Sequence, residues 1–448
     1  MRHEVVSVKL TRFSAALAAA LALLFLNRHA FAETPAPPDD DAEEAAPPAT
    51  ATPPATAAAP ASAAPPETAA PADDFAPPPP LRIENASGTA SIQFGILAQP
   101  QFEMVGAPDA DSTTKNLFLH RMRFMVGGTL FKDFDYFFDT DFPDLFKDDP
   151  GNQSGGIGKN APGLNIQDAF VTFRPLGNLF KTDAGFMLPP TSHNGIQGAG
   201  TLYGSDYFVN TFRRNVLSNS DPFLSSGQSP AGRDLGVQVR GLLLDDHLEY
   251  RVGVFQGLRV GPLPTMTAPN GTVTAGVVGG NNFFRVAARL QVNVLDAETG
   301  YFYQGTYLGN KKILSFGGFY DFQDQYKLLG GDAILDAPLG PGIVTAQANV
   351  VHWDGGNFIT TLPKSTAIMA EAGYLIRAIK LSPYGRFESL KVSQSTATTP
   401  SESRIGGGLS FWPYGHNSNL KGAFARVHRD QAPHDYNQIN VQWQVYFY

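Results

Sequence analysis

Charged side chains recur at every second position in several stretches of this sequence whose intervening positions are apolar. Within residues 282–294, Arg285 and Arg289 share one parity, while Val286 and Leu290 share the other. This period of two predicts a β-strand with one polar and one apolar face. If such strands cross a membrane, the charges must face water, because a charge facing hydrocarbon costs about 2–4 kcal/mol at the bilayer midplane. The alternation assigns nine charged side chains to polar faces: Arg121, Arg123, Asp135, Asp139, Asp141, Arg240, Arg251, Arg285 and Arg289.

A set of charges around a narrow aqueous passage selects ions by their sign. The sequence leaves a second interpretation open, because consecutive strands of a hairpin are neighbours. Under that interpretation Arg121 and Arg123 neutralise the aspartates of the next strand and do no more. The polar faces therefore predict a charged lumen without fixing which charges act on a solute.

The stretch Pro189 to Arg233 is too long for a simple connection between two strands, and loops of such length are functional or disordered. Aromatic residues would let it pack, so we expect it to fold into the passage as a constriction. Its cations there would be Arg213 and Arg214. The alternative is an exposed loop with a solvated pair of charges. The residues that carry this interpretation are Tyr203, Tyr207, Phe208, Phe212, Arg213 and Arg214.

Catalytic and metal-binding chemistry has little support in the sequence. The chain has no cysteine, and it contains no G-x-S-x-G, H-E-x-x-H or phosphate-binding loop motif. Two histidines in polar or aromatic surroundings, His193 and His352, are interpreted as loop or rim residues rather than catalytic bases. We therefore predict no catalytic residues, no metal site and no cofactor, and we do not expect an enzyme.

Sixteen candidate strands lie between residues 90 and 447, from Ala90–Met104 to Asn437–Phe447. Their connections are short and long in turn, as in bacterial outer-membrane barrels with short periplasmic turns and long external loops. Two connections break this rule, since Leu295–Lys312 is long and Gln323–Tyr326 is short.

The pattern predicts an all-β fold, a sixteen-stranded antiparallel transmembrane β-barrel whose third external loop folds inward. A soluble β-sandwich or propeller is the alternative. That alternative does not account for the abundance of aromatic residues, 33 Phe and 15 Tyr, or for the aromatic C-terminus.

Residues 1–32 have the features of a secretory signal peptide. Arg2, Lys9 and Arg12 precede an apolar core, Phe13–Leu26, and Ala30-Phe31-Ala32 offers a cleavage site. The alternative is an uncleaved anchor. The apolar core is shorter than the about 20 residues that a spanning helix needs, which favours the signal peptide.

Residues 33–80 contain 15 Pro and 17 Ala and carry a net charge of −9, without Lys or Arg. Such a composition predicts a disordered leader, either a solvated linker or a tether to peptidoglycan. The remaining residues 81–448 form the predicted barrel domain and carry a net charge of −2. A net charge so close to zero does not suggest the basic surface that is typical of a nucleic-acid-binding protein.

Several short motifs, taken in their order along the chain, resemble those of the phosphate-selective porin O and P family. The resemblance runs over most of residues 85–448 and leaves the Pro/Ala-rich leader uncovered. The segments that carry it are Gly127–Tyr136, Gln167–Phe170, Gly232–Gln238, Gly305–Lys312 and Pro338–Gly342.

The resemblance implies sixteen strands, a homotrimer, an inward third loop and passive uptake of anions such as phosphate. In that family, lysines of the constriction loop contribute to the anion path, whereas Pro189 to Arg233 contains only arginines as cations. We therefore expect an outer-membrane porin for small hydrophilic solutes, with weak to moderate anion preference and phosphate as one candidate solute. The alternatives are an enzyme embedded in a barrel and a structural tether between outer membrane and cell wall.

Overall fold

The computed structural model describes the chain from Phe75 to Tyr448 with several gaps. The described residues are 75, 79–107, 112–148, 159, 163–208, 232–257, 266–267, 273–274, 284–359, 362–396, 400–431 and 434–448. The predicted signal peptide, nearly all of the leader, and the candidate constriction residues Arg213 and Arg214 lie outside this set. Among the described residues, no helix is long and apolar enough to cross a membrane.

Sixteen strands form a single antiparallel sheet. They are β1 Ala90–Ala107, β2 Ser112–Leu130, β3 Phe134–Asp141, β4 Asn165–Phe173, β5 Lys181–Met187, β6 Asp234–Leu243, β7 Leu248–Phe255, β8 Arg285–Asn293, β9 Ile313–Gln323, β10 Tyr326–Leu339, β11 Gly342–Asp354, β12 Ser365–Ile376, β13 Leu381–Val392, β14 Glu402–Tyr414, β15 Ser418–Arg429 and β16 Asp435–Phe447.

Each strand pairs with its neighbours in chain order, and β16 returns to pair with β1, where Phe447 lies opposite Ile96. The sheet is thus a closed barrel, which confirms the predicted all-β antiparallel barrel and its strand number. A short segment, Leu81–Glu84, pairs with β1 over Ser91–Phe94. That part of β1 lies beyond the end of β16, so the segment covers an edge that β16 does not reach.

The strands have the two faces that the sequence predicts. On β8, Leu290 and Val292 are 57% and 50% exposed on the outside, whereas Arg289 and Gln291 are 1% exposed on the inside. The apolar outer surface suits contact with lipid. Closure of the barrel also pairs the backbone groups of the strand edges, which lipid could not hydrogen-bond. The protein is therefore a multi-pass β-barrel of the Gram-negative outer-membrane type. Large apolar side chains face outward around the barrel: Phe94, Phe124, Phe138, Val171, Val237, Phe316, Val350, Ile368, Phe387, Ile405, Phe424 and Trp443.

The C-terminal residue lies on the opposite side of the wall from the lipid-facing residues of β16. The ring of Tyr448 covers Gly95 and Gly127, and it meets Phe137 edge to face at 5.5 Å between ring centres. A Cβ atom at Gly95 would lie 2.6 Å from Cδ2 of Tyr448, so this position must be glycine for the ring to fit.

Candidate channel lumen

The strand connections define two ends of the barrel. One end carries short turns, such as the one between β2 and β3, and the other carries the long connection between β5 and β6. Residues 189–208, the first described part of that long connection, are called here the loop segment. It contains two single-turn 3-10 helices, Asn194–Ile196 and Ala199–Thr201.

The loop segment is bonded to the inner face of β14, β15 and β16. Lys421 Nζ donates to the carbonyl oxygens of Leu202 and Gly204 at 2.6 and 3.1 Å. Gln444 Nε2 donates to the carbonyl oxygen of Gly200 at 2.7 Å. Because these backbone acceptors are saturated by wall side chains, the segment has a defined position against the inner wall.

Asp206 connects the loop segment to a second region of the wall. Its carboxylate pairs with Arg121 at 2.5 Å and with His120 at 3.3 Å, and its carbonyl oxygen accepts a hydrogen bond from Arg386 at 2.7 Å. Burial would raise the pKa of Asp206, but Arg121 and His120 outweigh it and hold that pKa well below its usual range. Asp206 is therefore ionised and neutralises Arg121.

The other arginines assigned to the polar faces also pair with carboxylates. Arg123 contacts Asp139 and Asp141 on the next strand, as hairpin proximity suggests. Of the remaining pairs, three join residues of different strands, and the pair of Arg251 with Glu249 lies within one strand. The distances are Arg123–Asp139 3.2 Å, Arg123–Asp141 3.1 Å, Arg240–Asp183 2.8 Å, Arg251–Glu249 2.6 Å, Arg285–Asp321 2.6 Å and Arg289–Asp332 2.7 Å.

Asp135 is separate from the other two aspartates of its strand. It is the second residue of β3, beside the short turn, and its carboxylate pairs with Arg174 at 2.7 Å. Its side chain is 39% exposed, whereas those of Asp139 and Asp141 are 4% and 3% exposed. Asp135 thus lies at the rim of the barrel.

Among the described residues, several inward cations were not among the candidate residues, and they include Lys421, Arg386, Arg404 and Arg429. Arg404 and Arg429 share the carboxylate of Glu402 at 2.5 and 2.7 Å. Both also donate to the hydroxyl oxygen of Tyr436, at 2.8 and 3.0 Å. The signal for these residues was present, because each has the same period-two placement as the cations that were chosen.

A second segment enters the barrel from the short-turn end. Residues 295–312, called here the turn segment, connect β8 to β9, and Glu298 and Tyr303 within it are 1% and 0% exposed. Arg251 Nη1 donates to the carbonyl oxygen of Tyr301 at 2.8 Å, and Arg289 Nε donates to the hydroxyl oxygen of Tyr303 at 3.3 Å. The sequence marked this connection only by its unusual length.

No protein-family model matches the chain, and no curated protein sequence matches it. Among solved structures, OmpF of Salmonella typhi in complex with daunomycin is similar, with 11% identity and a TM-score of 0.46, covering 82% of this chain and 100% of that one. The outer-membrane channel DcaP of Acinetobacter baumannii gives 11% identity, a TM-score of 0.46, and coverages of 82% and 99%. OprB of Pseudomonas putida gives 9% identity and a TM-score of 0.45, covering 80% of this chain and 92% of that one. The barrel assignment rests on the strand pairing and does not depend on these similarities.

Proposed function

We propose that the protein is an outer-membrane porin, a passive diffusion channel for small hydrophilic solutes. The observation that carries this proposal is the sidedness of the closed sheet, apolar outside and lined by arginine, carboxylate and amide groups inside. Such side chains would form a poor hydrophobic core, because a buried polar group is costly without partners. They suit a barrel whose interior conducts water and solutes.

The selectivity that we propose is a weak to moderate preference for small anions. Because each of the six candidate arginines on the strands contacts a carboxylate, the field of these cations is largely cancelled at close range. Arg404 and Arg429, which share one carboxylate, leave a local positive surplus, whereas Arg386 contacts both Glu371 and Glu388. These opposing contributions support a weak preference rather than tight phosphate binding.

Arg213 and Arg214 are proposed as the cations of a constriction formed by the third external loop. A narrow passage with low-dielectric walls focuses the field of such charges, so a few residues there outweigh the net charge of the barrel. The inward hydrogen bonds of the loop segment support this proposal, because they hold Gly200 and Leu202 of the same connection against the inner wall.

Planar lipid bilayers provide the decisive experiment. Purified, heat-modifiable protein should give discrete ohmic conductance steps, and silent bilayers would contradict the channel. A reversal potential in a KCl gradient should show weak anion selectivity, which the double variant Arg213→Ala/Arg214→Ala reduces. A cation-selective wild type, or unchanged selectivity in the double variant, would place the filter elsewhere. Turnover of lipid or peptide substrates by a silent barrel would favour the enzyme alternative.

We further propose that the channel is a homotrimer with its short-turn end in the periplasm, after removal of residues 1–32 as a signal peptide. The resemblance to the phosphate-selective porins supports the trimer, and chemical cross-linking in detergent tests it. The leader, residues 33–80, is proposed as a periplasmic linker. Deleting it should leave conductance intact, and loss of envelope integrity in that deletion would favour a peptidoglycan tether.

A further inference from the structure

The loop segment and the turn segment meet inside the barrel although they enter from opposite ends. Tyr303 N donates to the carbonyl oxygen of Ile196 at 3.2 Å, and Gly198 N donates to that of Tyr303 at 2.9 Å, which makes a parallel bridge. Gly305 N donates to the carbonyl oxygen of Thr201 at 3.0 Å. This line of contacts is called here the lumen seam. It is non-covalent along its whole length, because the chain has no cysteine.

A buried histidine and glutamate lie side by side in the lumen seam. His193 is 2% and Glu298 is 1% exposed, and Nε2 of the histidine lies 2.9 Å from the carboxylate. Gln197 Nε2 lies 3.0 Å from His193 Nδ1, so the ring accepts there and donates its Nε2–H to Glu298. The imidazole also stacks on Tyr303 at 4.5 Å between ring centres.

Further polar groups contact this pair and the backbone beside it. Tyr307 and Gln291 donate to the carboxylate of Glu298 at 2.7 and 3.1 Å. Arg289 and Asp332 of the wall face the backbone beside the histidine, since Arg289 donates to the carbonyl oxygen of Thr191 and Asp332 accepts from the amide of His193. Apolar packing would hold two segments together permanently at lower cost than such a pair. The contacts between the segments are thus of a kind that water can replace when they separate.

We propose that the lumen seam is a latch within the channel, which narrows the passage when closed and must part for larger solutes to cross. This inference rests on the proposed porin function and concerns its regulation. The turn segment supports it by its length, because the other described connections at the short-turn end are brief turns. A connection of this length inside a compact barrel needs a functional reason, since shorter chain would join the strands.

A reversible cross-link tests the latch. A Cβ atom placed on Gly198 would lie 3.8 Å from Cβ of Phe302, the usual separation in a disulfide. The double variant Gly198→Cys/Phe302→Cys therefore carries one engineered disulfide in a cysteine-free chain. The single variants Gly198→Cys and Phe302→Cys are matched controls, because they carry the same side-chain changes without the bond.

Unit conductance in small salts and flux of a large organic anion are measured before and after dithiothreitol. We expect the oxidised double variant to pass the large anion several-fold more slowly than after reduction, with the single variants unaffected by the reagent. Equal flux in both states of a conducting double variant overturns the latch and leaves the porin assignment intact. A silent wild type overturns the porin function itself.

A second variant keeps the inference falsifiable if the double variant does not fold. Glu298→Gln preserves the size of the side chain but removes the charge that accepts from His193 and Tyr307. We expect a several-fold increase in flux of the large anion. Thr299→Ser, a conservative change at the exposed neighbouring residue, should leave the flux unchanged. Wild-type flux in folded Glu298→Gln would overturn the latch.

Discussion

The ion pair between Arg285 and Asp321 allows the cost of an uncompensated charge inside the barrel wall to be measured. Arg285 donates through Nε to Asp321 Oδ1 at 2.9 Å and through Nη2 to Oδ2 at 2.6 Å, and both side chains are 0% exposed. Asp234 is a weaker second partner, 3.4 Å from Nη1. Asp321→Asn removes the closer of these two carboxylates from the buried guanidinium.

Removing one member of a buried ion pair typically costs about 3–5 kcal/mol, because the remaining charge stays away from water. Asp234 retains part of the compensation, so we expect Asp321→Asn to lower the free energy of unfolding by about 3 kcal/mol. The double variant Arg285→Met/Asp321→Leu removes both charges and keeps similar volume. Its free energy of unfolding should lie within about 2 kcal/mol of that of wild type. Part of this difference arises because Tyr326 loses Asp321 as the acceptor of its hydroxyl group.

Equilibrium unfolding in urea, in lipid vesicles, provides the measurement. Tryptophan fluorescence reports it, since Trp353 and Trp412 are fully buried inside and Trp443 is 55% exposed on the outside. The expected order of stability is wild type, double variant, single variant. If Asp321→Asn stays within about 0.5 kcal/mol of wild type, as neutral surface changes do, the charge is not desolvated as the structure indicates. A double variant that is less stable than the single variant would also contradict the reasoning.

Three further predictions address the outer wall, the last strand and acid. Leu290→Arg places a charge on the outer face of β8 and should cost about 2–4 kcal/mol in urea unfolding, whereas no loss would place that face away from lipid. Phe447→Asp should impair assembly, read as heat-modifiable mobility, more than deletion of Tyr448, and equal assembly would refute the register. Burial would raise the pKa of Glu298, but the hydrogen bonds that its carboxylate accepts from His193, Tyr307 and Gln291 outweigh burial and lower that pKa below its usual 4.5. The stabilisation of the lumen seam is then present at neutral pH and is lost as the pH falls through that lowered pKa, so large-anion flux should stay constant down to about pH 5 and rise below it. If the flux of the large anion already increases at about pH 6, a group other than Glu298 is responsible.

The barrel was predictable because its strands carry a local signal. Each of the sixteen candidate strands has a counterpart, and the differences are at the ends, where β1 continues past Met104 to Ala107 and β16 begins at Asp435 rather than Asn437. Alternation fixes which residues face lipid, but it weakens at strand ends that rise beyond the hydrocarbon. Those ends pair through backbone hydrogen bonds, which do not require apolar and polar residues to alternate.

The interior was predictable only as a chemical class. Period two indicated that Arg289 faces inward, but its partner Asp332 lies two strands further along the barrel, and that pairing depends on strand register. The turn segment had no pattern beyond its length, because its contacts with the loop segment join residues about a hundred positions apart. The roles of Arg213 and Arg214 stay predictions.

The closing junction between β16 and β1 has a consequence for the order in which the barrel is made. Gln444 of β16 accepts a hydrogen bond from Gln99 of β1 at 2.8 Å, and the two residues are 345 positions apart in the sequence. Compared with a hairpin of about 20 residues, closing a chain of this length costs about 2.5 kcal/mol more in conformational entropy.

Until the last strand has been synthesised and delivered, β1 therefore presents an unsatisfied edge, the usual template for pairing with another chain. Leu81–Glu84 can cover its end at Ser91–Phe94 early, because these residues are close in sequence. The rest of that edge, from Ile96 to Gly106, must wait for β16. A nascent chain that lacks its final strand thus exposes this edge to pairing with other chains until β16 arrives.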